Sequence, residues 1–297
     1  MSDTFITRRG LFLLLLLAPP LLWLGVIYLG ALFALLAQSF FSIDEYSGTI
    51  VYEPTLKTFG ELLHPANFDI IIRTLAISTT VTLLAAVVAF PIAYYAARYA
   101  RGRTKALFYV AVMMPLWSSY LVKVYAWKLL LAKEGAVGWL LHAIGLSGLL
   151  DAWLAAPIVG GPSLSVSYTG MVLVFLYLWT PFMVLPVQAA LERVPVSLIE
   201  ASGDLGAKPG QTFRNVIFPL ALPGIVAGSI FTFSLTLGDY IVPQIVGPSS
   251  LILGQVVYTQ QGTAGNLPLA AAFSVAPILI MGVFLTIAKR IGAFDAL

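Results

Sequence analysis

"LFLLLLLAPPLLWLGVIYLGALFALLAQSFF", residues 11–41, contains no charged residue and is long enough to cross a membrane as a helix. A helix of about 20 apolar residues crosses the hydrocarbon of a bilayer, whereas a signal peptide has an apolar core of about 7–15 residues. Arg8 and Arg9 precede the run, and no clean A-x-A cleavage pattern follows it. We interpret this stretch as a retained first membrane helix whose N-terminus lies inside the cell.

The composition of the whole chain points to the same class of protein. Of its 297 residues, 60% are hydrophobic and 10% are charged, and the mean hydropathy is +0.95. Soluble domains are about 45–50% apolar and about 25% charged, so this chain has too little polar surface to cover a soluble globule. The absence of cysteine excludes disulfides, thiolate metal sites and thiol catalysis.

Six segments are long and apolar enough to cross a membrane. They are residues 11–40, 74–97, 106–131, 168–190, 216–242 and 267–288. With the N-terminus inside, eleven Lys and Arg residues fall on the cytoplasmic side and five on the other. The positive-inside rule therefore favours an N-in, C-in arrangement, with the tail after the last span in the cytoplasm. We predict an all-α integral membrane protein with six transmembrane helices and one membrane domain over residues 1–297.

Two features of the predicted loops bear on function. The segment 132–166 holds an apolar stretch that is too short to span, which predicts a helix at the membrane interface. His64 and His142 lie in predicted outer loops without the spacing of metal ligands, so we expect no metal site. The sequence also contains no P-loop, no H-E-x-x-H and no G-x-S-x-G pattern, so an embedded enzyme is a remote alternative.

The stretch "PVSLIEASGDLGAKPGQTFRNVIFPL", residues 195–220, is a polar island between the fourth and fifth spans. Leu198, Ala201 and Leu205 follow helical spacing and form one apolar stripe. Gly206 and the following K-P-G are typical of a helix end and a turn. On these residues alone, the island is either an ordinary solvated loop or a short amphipathic helix followed by a sharp return to the membrane.

The island resembles the EAA loop of ABC-importer membrane subunits, whose pattern is E-A-A, three residues, Gly, nine residues and I-x-L-P. Ser202, Val216 and Phe218 stand where that pattern has Ala, Ile and Leu. In that family the loop is a cytoplasmic coupling helix that docks on a separate ATP-hydrolysing subunit, in agreement with the missing P-loop. The resemblance implies a coupling loop at 195–219 and the following set of ATPase-coupling residues: Glu200, Ala201, Ser202, Asp204, Gly206 and Pro219.

A second stretch, "MPLWSSYLVKVYAWKLLLAKEG" at residues 114–135, is similar to the third span of polyamine-type (spermidine/putrescine) importer permeases. Lys123 stands where Arg is commoner, and "FSLTLGDYIVPQIVGP" in the fifth span fits the same group. This resemblance implies that the chain is a permease subunit that moves a small cationic solute, a polyamine, inward by alternating access. Related permeases carry other small organic solutes, and this alternative stays open.

Asp239 is the most informative residue for a cationic substrate, since it lies in an otherwise apolar part of the fifth span. A carboxylate within a membrane tends to face a cavity or a partner, so Asp239 is a candidate to pair with an ammonium group. The alternative is that it caps or pairs within the protein. Aromatic residues that could add cation–π contacts, or form an interfacial belt instead, complete the predicted substrate pathway: Tyr240, Trp117, Tyr120 and Tyr125.

The resemblance also implies the partners of the chain. These are a second homologous permease subunit, two cytoplasmic ATPase subunits, an extracytoplasmic substrate-binding protein and the lipid of the bacterial cytoplasmic (inner) membrane. ATP and Mg²⁺ then belong to the ATPase subunits, and we expect this chain to hold no cofactor and to bind no nucleic acid. The competing hypothesis is a self-sufficient secondary transporter, for which Asp239 is the one fair candidate for ion coupling.

Overall fold

The computed structural model describes residues 2–44, 46–157 and 160–290, and of residues 2–11 it describes only the backbone. Most of this part of the chain is helical. In chain order the helices are α1 Ser2–Leu22, α2 Leu29–Gln38, α3 Lys57–Leu62, α4 Pro65–Arg98, α5 Gly102–Trp117, α6 Tyr120–Leu130, α7 Ala136–Ala143, α8 Ser147–Leu154, α9 Tyr168–Arg193, α10 Val196–Asp204, α11 Pro209–Thr212, α12 Phe218–Leu237, α13 Ile241–Ile245, α14 Leu253–Gly262 and α15 Leu267–Arg290. Helices α1 and α2 are continuous through π-helical turns at Trp23–Tyr28, and α11 and α12 through similar turns at Phe213–Ile217.

Five helical segments in the described part of the chain are long and apolar enough to cross a membrane, and a bent pair of helices would make a sixth if the pair is a single span. The five are Phe12–Gln38, Pro65–Arg98, Tyr168–Arg193, Pro209–Leu237 and Leu267–Arg290, and the bent pair is Gly102–Trp117 with Tyr120–Leu130. These segments confirm a mostly helical membrane protein. The second begins at Pro65 rather than at residue 74, and an ion pair between Asp69 and Arg73, one helical turn apart, lies in the added part of the helix.

The predicted third span, 106–131, is wrong as a single helix, because α5 and α6 meet at an angle of 94°. Ser118 and Ser119 between them are extended, with ψ of 151° and 133°. The break leaves the carbonyl of Pro115 without a helical donor, and two side chains replace it. The Ser118 hydroxyl donates to this oxygen at 3.0 Å and the Lys123 ammonium at 2.7 Å. Lys123 therefore stabilises the end of α5, where a cation is favourable.

The predicted fifth span, 216–242, ends five residues early, at Leu237. Gly238 and Asp239 interrupt the helix, and the chain continues in the short helix α13. Gly254, at the start of α14, packs directly against the carbonyl of Asp239, where a Cβ would overlap it. The break and the close approach together fold residues 238–256 back onto the protein, with Val242 and Val246 fully buried.

The contacts divide the chain into two compact units, Met1–Asn67 with Val257–Ala276 and Phe68–Val256 with Pro277–Leu297. The single permease domain over residues 1–297 stays a prediction. The cytoplasmic tail that the charge count predicts after Arg290 lies outside the described residues.

In the first unit a short antiparallel hairpin follows α2, with β1 Ser42–Ile43 paired to β2 Ile50–Val51. The Asp44 carboxylate organises its turn, accepting from the backbone N–H of Ser47 at 2.8 Å and of Tyr46 at 2.9 Å, and from the Ser47 hydroxyl at 3.0 Å. These hydrogen bonds favour the charged form and hold the pKa of the exposed Asp44 carboxyl below its usual value.

In the second unit, α9 is the most buried span and packs along α12. Glycines allow the two backbones to approach. A Cβ on Gly224 would lie 2.5 Å from both the Cβ of Ala190 and the carbonyl oxygen of Pro186, and a Cβ on Gly228 would lie 3.0 Å from the Cα of Met183. Small residues at such crossings are the usual way in which membrane helices gain close packing.

The segment 132–166 folds into two helices of eight residues, α7 and α8, rather than one. Gly145, with φ of +75°, makes the turn between them. Leu150 and Leu154 pack on the apolar core, while Trp139 and Trp153 are exposed. Short helices with outward indoles have the character that the sequence predicts for a membrane-interface element.

Candidate functional site

Residues 195–219 form a short helix, a turn and a return, as one of the two sequence interpretations predicts. Pro195 precedes α10, the helix ends at Asp204, and Gly206 follows with φ of +82°. The N–H of Gly206 donates to the carbonyl of Gly203 at 2.8 Å, and the N–H of Ala207 donates to that of Ser202 at 3.1 Å. This pair of bonds is the Schellman motif, in which glycine is favoured because the backbone is left-handed.

The outward face of α10 carries the apolar stripe that the spacing predicts. Leu198 is 44% exposed and Leu205 is 89% exposed, with Ala201 exposed between them. Two carboxylates, Glu200 and Asp204, are exposed on the same short helix. Exposed apolar and acidic side chains thus share this short helix.

The inward face of α10 rests on the membrane part of the unit. Ile199 packs against an apolar cluster built from α4, α9 and α12. Ser202 is half-buried, and its hydroxyl lies 2.9 Å from the Thr212 hydroxyl on α11. Of the predicted coupling residues, Glu200, Ala201, Asp204 and Gly206 are thus on the exposed side, Pro219 is exposed at the start of α12, and Ser202 faces inward.

Asp239 and Tyr120, both predicted for the substrate pathway, meet in the second unit. One carboxylate oxygen of Asp239 accepts a hydrogen bond from the Tyr120 hydroxyl. The other accepts from the backbone N–H of Val242 at 2.9 Å, which caps the first turn of α13. The carboxylate therefore joins α6 to the segment after α12.

Trp179 on α9 belongs to the same cluster, and the sequence reasoning missed it. Its indole stacks on the Tyr120 ring, with centroids 5.9 Å apart and the planes 18° apart. The side chain is only 9% exposed, and its Nε1–H has no acceptor among the described residues. A tryptophan in an apolar span was the available signal, since a buried indole N–H needs a partner.

The other three predicted pathway residues differ in their distance from this contact along the chain and in their exposure. Tyr240 follows Asp239 in the chain and is partly exposed, Trp117 at the end of α5 is 75% exposed, and Tyr125 on α6 is 54% exposed. In the described part of the chain, no hydrogen bond or ring contact joins Trp117 or Tyr125 to Asp239. The described residues also contain no group of three or more His, Asp and Glu that could hold a metal.

Comparison with known proteins adds to this geometry. Residues 89–294 match the family described as "Binding-protein-dependent transport system inner membrane component". The chain is 56% identical over 296 residues to the "Inner membrane ABC transporter permease protein YdcU" of Escherichia coli K12, covering 100% of this chain and 95% of that protein.

A more distant relative is the "Spermidine/putrescine transport system permease protein PotB" of Salmonella typhimurium SL1344. It is 28% identical over 237 residues, covering 80% of this chain and 78% of that one.

Two solved structures share the fold at lower identity. A bacterial ABC transporter involved in the import of the acidic polysaccharide alginate has a TM-score of 0.68 at 16% identity, covering 98% of this chain and 99% of that chain. The MetNI methionine ABC transporter has a TM-score of 0.54 at 19% identity, covering 78% and 96%.

Proposed function

This chain belongs to the family of binding-protein-dependent transport system inner membrane components, and from that premise we propose that it moves a polyamine inward by alternating access. The coarser part of this function follows from the family: the chain is a permease subunit of an ABC importer and a multi-pass protein of the inner membrane. The observation that carries the proposed mechanism is the exposed apolar stripe of α10, Leu198–Ala201–Leu205, in a sequence without a P-loop.

The proposed coupling site is the outward face of α10. Leu198, Ala201 and Leu205 would be buried against a groove of the ATPase subunit, with Glu200 and Asp204 at the rim. A central apolar contact surrounded by polar groups is the usual organisation of a specific protein interface. ATP and Mg²⁺ bind to the ATPase subunit in this proposal, and the chain contributes the surface through which hydrolysis moves the membrane helices.

The proposed assembly has a second permease subunit of the same family, two ATPase subunits and a soluble substrate-binding protein. Two permeases, each with one α10, suit two ATPase subunits. A structurally similar alginate transporter has been solved in complex with an alginate pentasaccharide-bound periplasmic protein, and we extend that kind of partner to this chain. A hetero- or homodimeric permease pair fits the proposal equally.

A polyamine is the proposed substrate because PotB, the permease of a spermidine/putrescine system, is similar over most of the chain. The test is calorimetric titration of the partner binding protein with putrescine and spermidine. Saturable binding of either at micromolar concentration is the expected result. If neither binds, the solute is another small organic molecule and the polyamine proposal is wrong.

The Asp239 cluster is the proposed cation-recognising part of the pathway. The Asp239 carboxylate is the single negative charge of the cluster, and Tyr120 and Trp179 place aromatic rings beside it. A carboxylate whose two oxygens already accept hydrogen bonds keeps further lone pairs for an ammonium donor. The Lys123 ammonium donates to the neutral Pro115 carbonyl and keeps its positive charge, so it would repel a cationic solute that came close to it.

Asp239→Asn tests this role, because the amide keeps the shape and the bond to Val242 but removes the charge. We expect putrescine uptake by the reconstituted complex to fall about tenfold at subsaturating solute, in line with the loss of a charged hydrogen bond. Tyr120→Phe, which keeps the charge and removes the tie between α6 and α13, is expected to have a smaller effect. Unchanged uptake by Asp239→Asn would remove the carboxylate from the pathway.

The proposed topology, N-in and C-in with α10 in the cytoplasm and α7 and α8 outside, is testable because the chain has no cysteine. A membrane-impermeant maleimide should label His142→Cys in intact cells, and should label Gln211→Cys only after permeabilisation. Both side chains are exposed, so a difference reports on sidedness rather than burial. The reverse pattern of labelling would overturn the topology, and the unaltered chain is the control for background.

A further inference from the structure

The coupling loop is attached to the membrane helices at its beginning by a side chain outside the loop. At the end of α4, the Arg98 guanidinium donates from Nη2 to the carbonyl of Val194 at 3.1 Å. Val194 is the residue between α9 and the proline that opens α10, and it is buried. The bond therefore connects the entrance of the loop to α4, a helix 96 residues away in sequence.

At its other end the loop is attached through a pair of hydroxyls. Ser202 is on the inward face of α10, and Thr212 is the last residue of α11, which leads directly into α12. Their oxygens are 2.9 Å apart, and Thr212 is buried. The Gly206 turn lies between them, so the hydroxyl pair closes the loop across its own glycine.

The turn that the Ser202–Thr212 pair closes is exposed and contains a glycine. The turn from Leu205 to Lys208 is held by backbone hydrogen bonds at its start, but the residues around it are exposed and a glycine lies at its centre. Without the Ser202–Thr212 contact, α10 and the start of α12 would be joined by this turn and by the apolar packing of Ile199. Part of a displacement of α10 would then be absorbed by the turn before it reached α12.

We propose that Ser202 and Thr212 are positioning residues that make α10 and the first turns of the fifth span move as one body, with Arg98 linking that body to α4. The inference rests on the proposed docking of α10 on an ATPase subunit, and it separates the predicted coupling residues into two groups. Glu200, Ala201 and Asp204 face the partner, whereas Ser202 transmits the movement inward. The serine is one of the departures from the EAA pattern, and Thr212 gives it a partner.

Conservative substitutions in the reconstituted complex test the transmission. Thr212→Val removes the hydroxyl and keeps the shape, Thr212→Ser keeps the hydroxyl, and Ser202→Ala leaves the Thr212 hydroxyl buried without this partner. Since a typical hydrogen bond corresponds to about a two- to tenfold effect, we expect Thr212→Val and Ser202→Ala to lower the amount of solute imported per ATP hydrolysed by that factor. Thr212→Ser should restore the ratio, and Ser202→Ala with Thr212→Val should be no worse than either alone.

Matched measurements separate this inference from the docking proposal. Ser197→Ala removes an exposed hydroxyl from the same helix and should leave the ratio unchanged. Co-purification of the ATPase subunit should be retained in all these variants. If the ATPase subunit still binds and neither Thr212→Val nor Ser202→Ala changes the amount of solute imported per ATP, the inference about Ser202 and Thr212 is wrong. The proposal that α10 docks on the ATPase subunit is then unaffected. If the ATPase subunit never binds through α10, the proposed function itself fails.

A reversible cross-link gives an independent test, because the chain contains no other cysteine. Ser202→Cys with Thr212→Cys places two thiols where the hydroxyls now lie 2.9 Å apart. If the two positions move together, the variant should take up solute at the same rate after oxidation to the disulfide as it does with both thiols free. Loss of uptake on oxidation, recovered with dithiothreitol and absent in the cysteine-free chain, would show that transport needs movement between them and would overturn the inference.

Discussion

Leu205→Glu is expected to abolish stable binding of the ATPase subunit and to reduce ATP-driven uptake at least about tenfold. Leu205 is 89% exposed in the chain by itself, so in the proposed complex its side chain passes from water into an apolar groove. An unpaired carboxylate placed there would have to be desolvated, which costs several kcal/mol, and central interface residues commonly carry more than 2 kcal/mol of binding free energy. The helix itself should persist, because the residue contacts little of its own chain.

The measurement is co-purification of the ATPase subunit with the permease in detergent, followed by uptake in vesicles. Leu63→Glu is a matched control, since Leu63 is also a highly exposed leucine at the end of a short helix but belongs to the other compact unit. It should retain the ATPase subunit. Retention of the ATPase and full uptake by Leu205→Glu would show that the exposed stripe is not the docking surface.

Gly224→Leu is expected to remove most of the correctly folded protein. A Cβ at this position would lie 2.5 Å from the Cβ of Ala190 and from the Pro186 carbonyl oxygen, and neither atom can rotate away. The side chain would force α9 and α12 apart. Overpacking a core commonly costs about 1–3 kcal/mol, and a clash against backbone along the most buried span should reach or exceed the upper end of that range.

The yield of monodisperse protein in size-exclusion chromatography and its thermal midpoint measure this effect. Gly282→Leu is the control, because Gly282 is a helical glycine whose added Cβ would meet nothing within 4 Å. Gly282→Leu should give a yield close to that of the unaltered chain. Equal yields for the two variants would contradict the close approach of α9 and α12.

The spans could be predicted from the sequence because hydropathy alone decides which segments enter the hydrocarbon. Their interruptions could not. Pro115 and Ser118–Ser119 are compatible with a straight or a broken helix, since neighbours in a membrane protein can satisfy the freed backbone groups. In the structure the helix is broken there, and the Lys123 ammonium and the Ser118 hydroxyl donate to the Pro115 carbonyl beside the break.

The candidate site was predictable to a similar extent. Spacing predicted a short helix that stops at Gly206 and the apolar stripe Leu198–Ala201–Leu205, because both depend on local geometry. It did not show that the stripe points outward while Ile199 and Ser202 point inward, since this depends on how α10 lies on its neighbours. Trp179 was missed for the same reason: its contact with Tyr120 joins residues 59 positions apart (179 − 120) that share no local pattern.

ATP dependence of uptake is the most direct test of the central claim, that this chain is a permease driven by an ATPase bound at α10. The permease pair, with and without the ATPase subunits, is reconstituted into proteoliposomes with the binding protein and labelled putrescine on the binding-protein side. We predict accumulation only when the ATPase subunits and hydrolysable ATP are both present, and its loss with Leu205→Glu. Equal accumulation by the permease pair alone, driven by an ion gradient, would contradict this claim and would identify a secondary transporter.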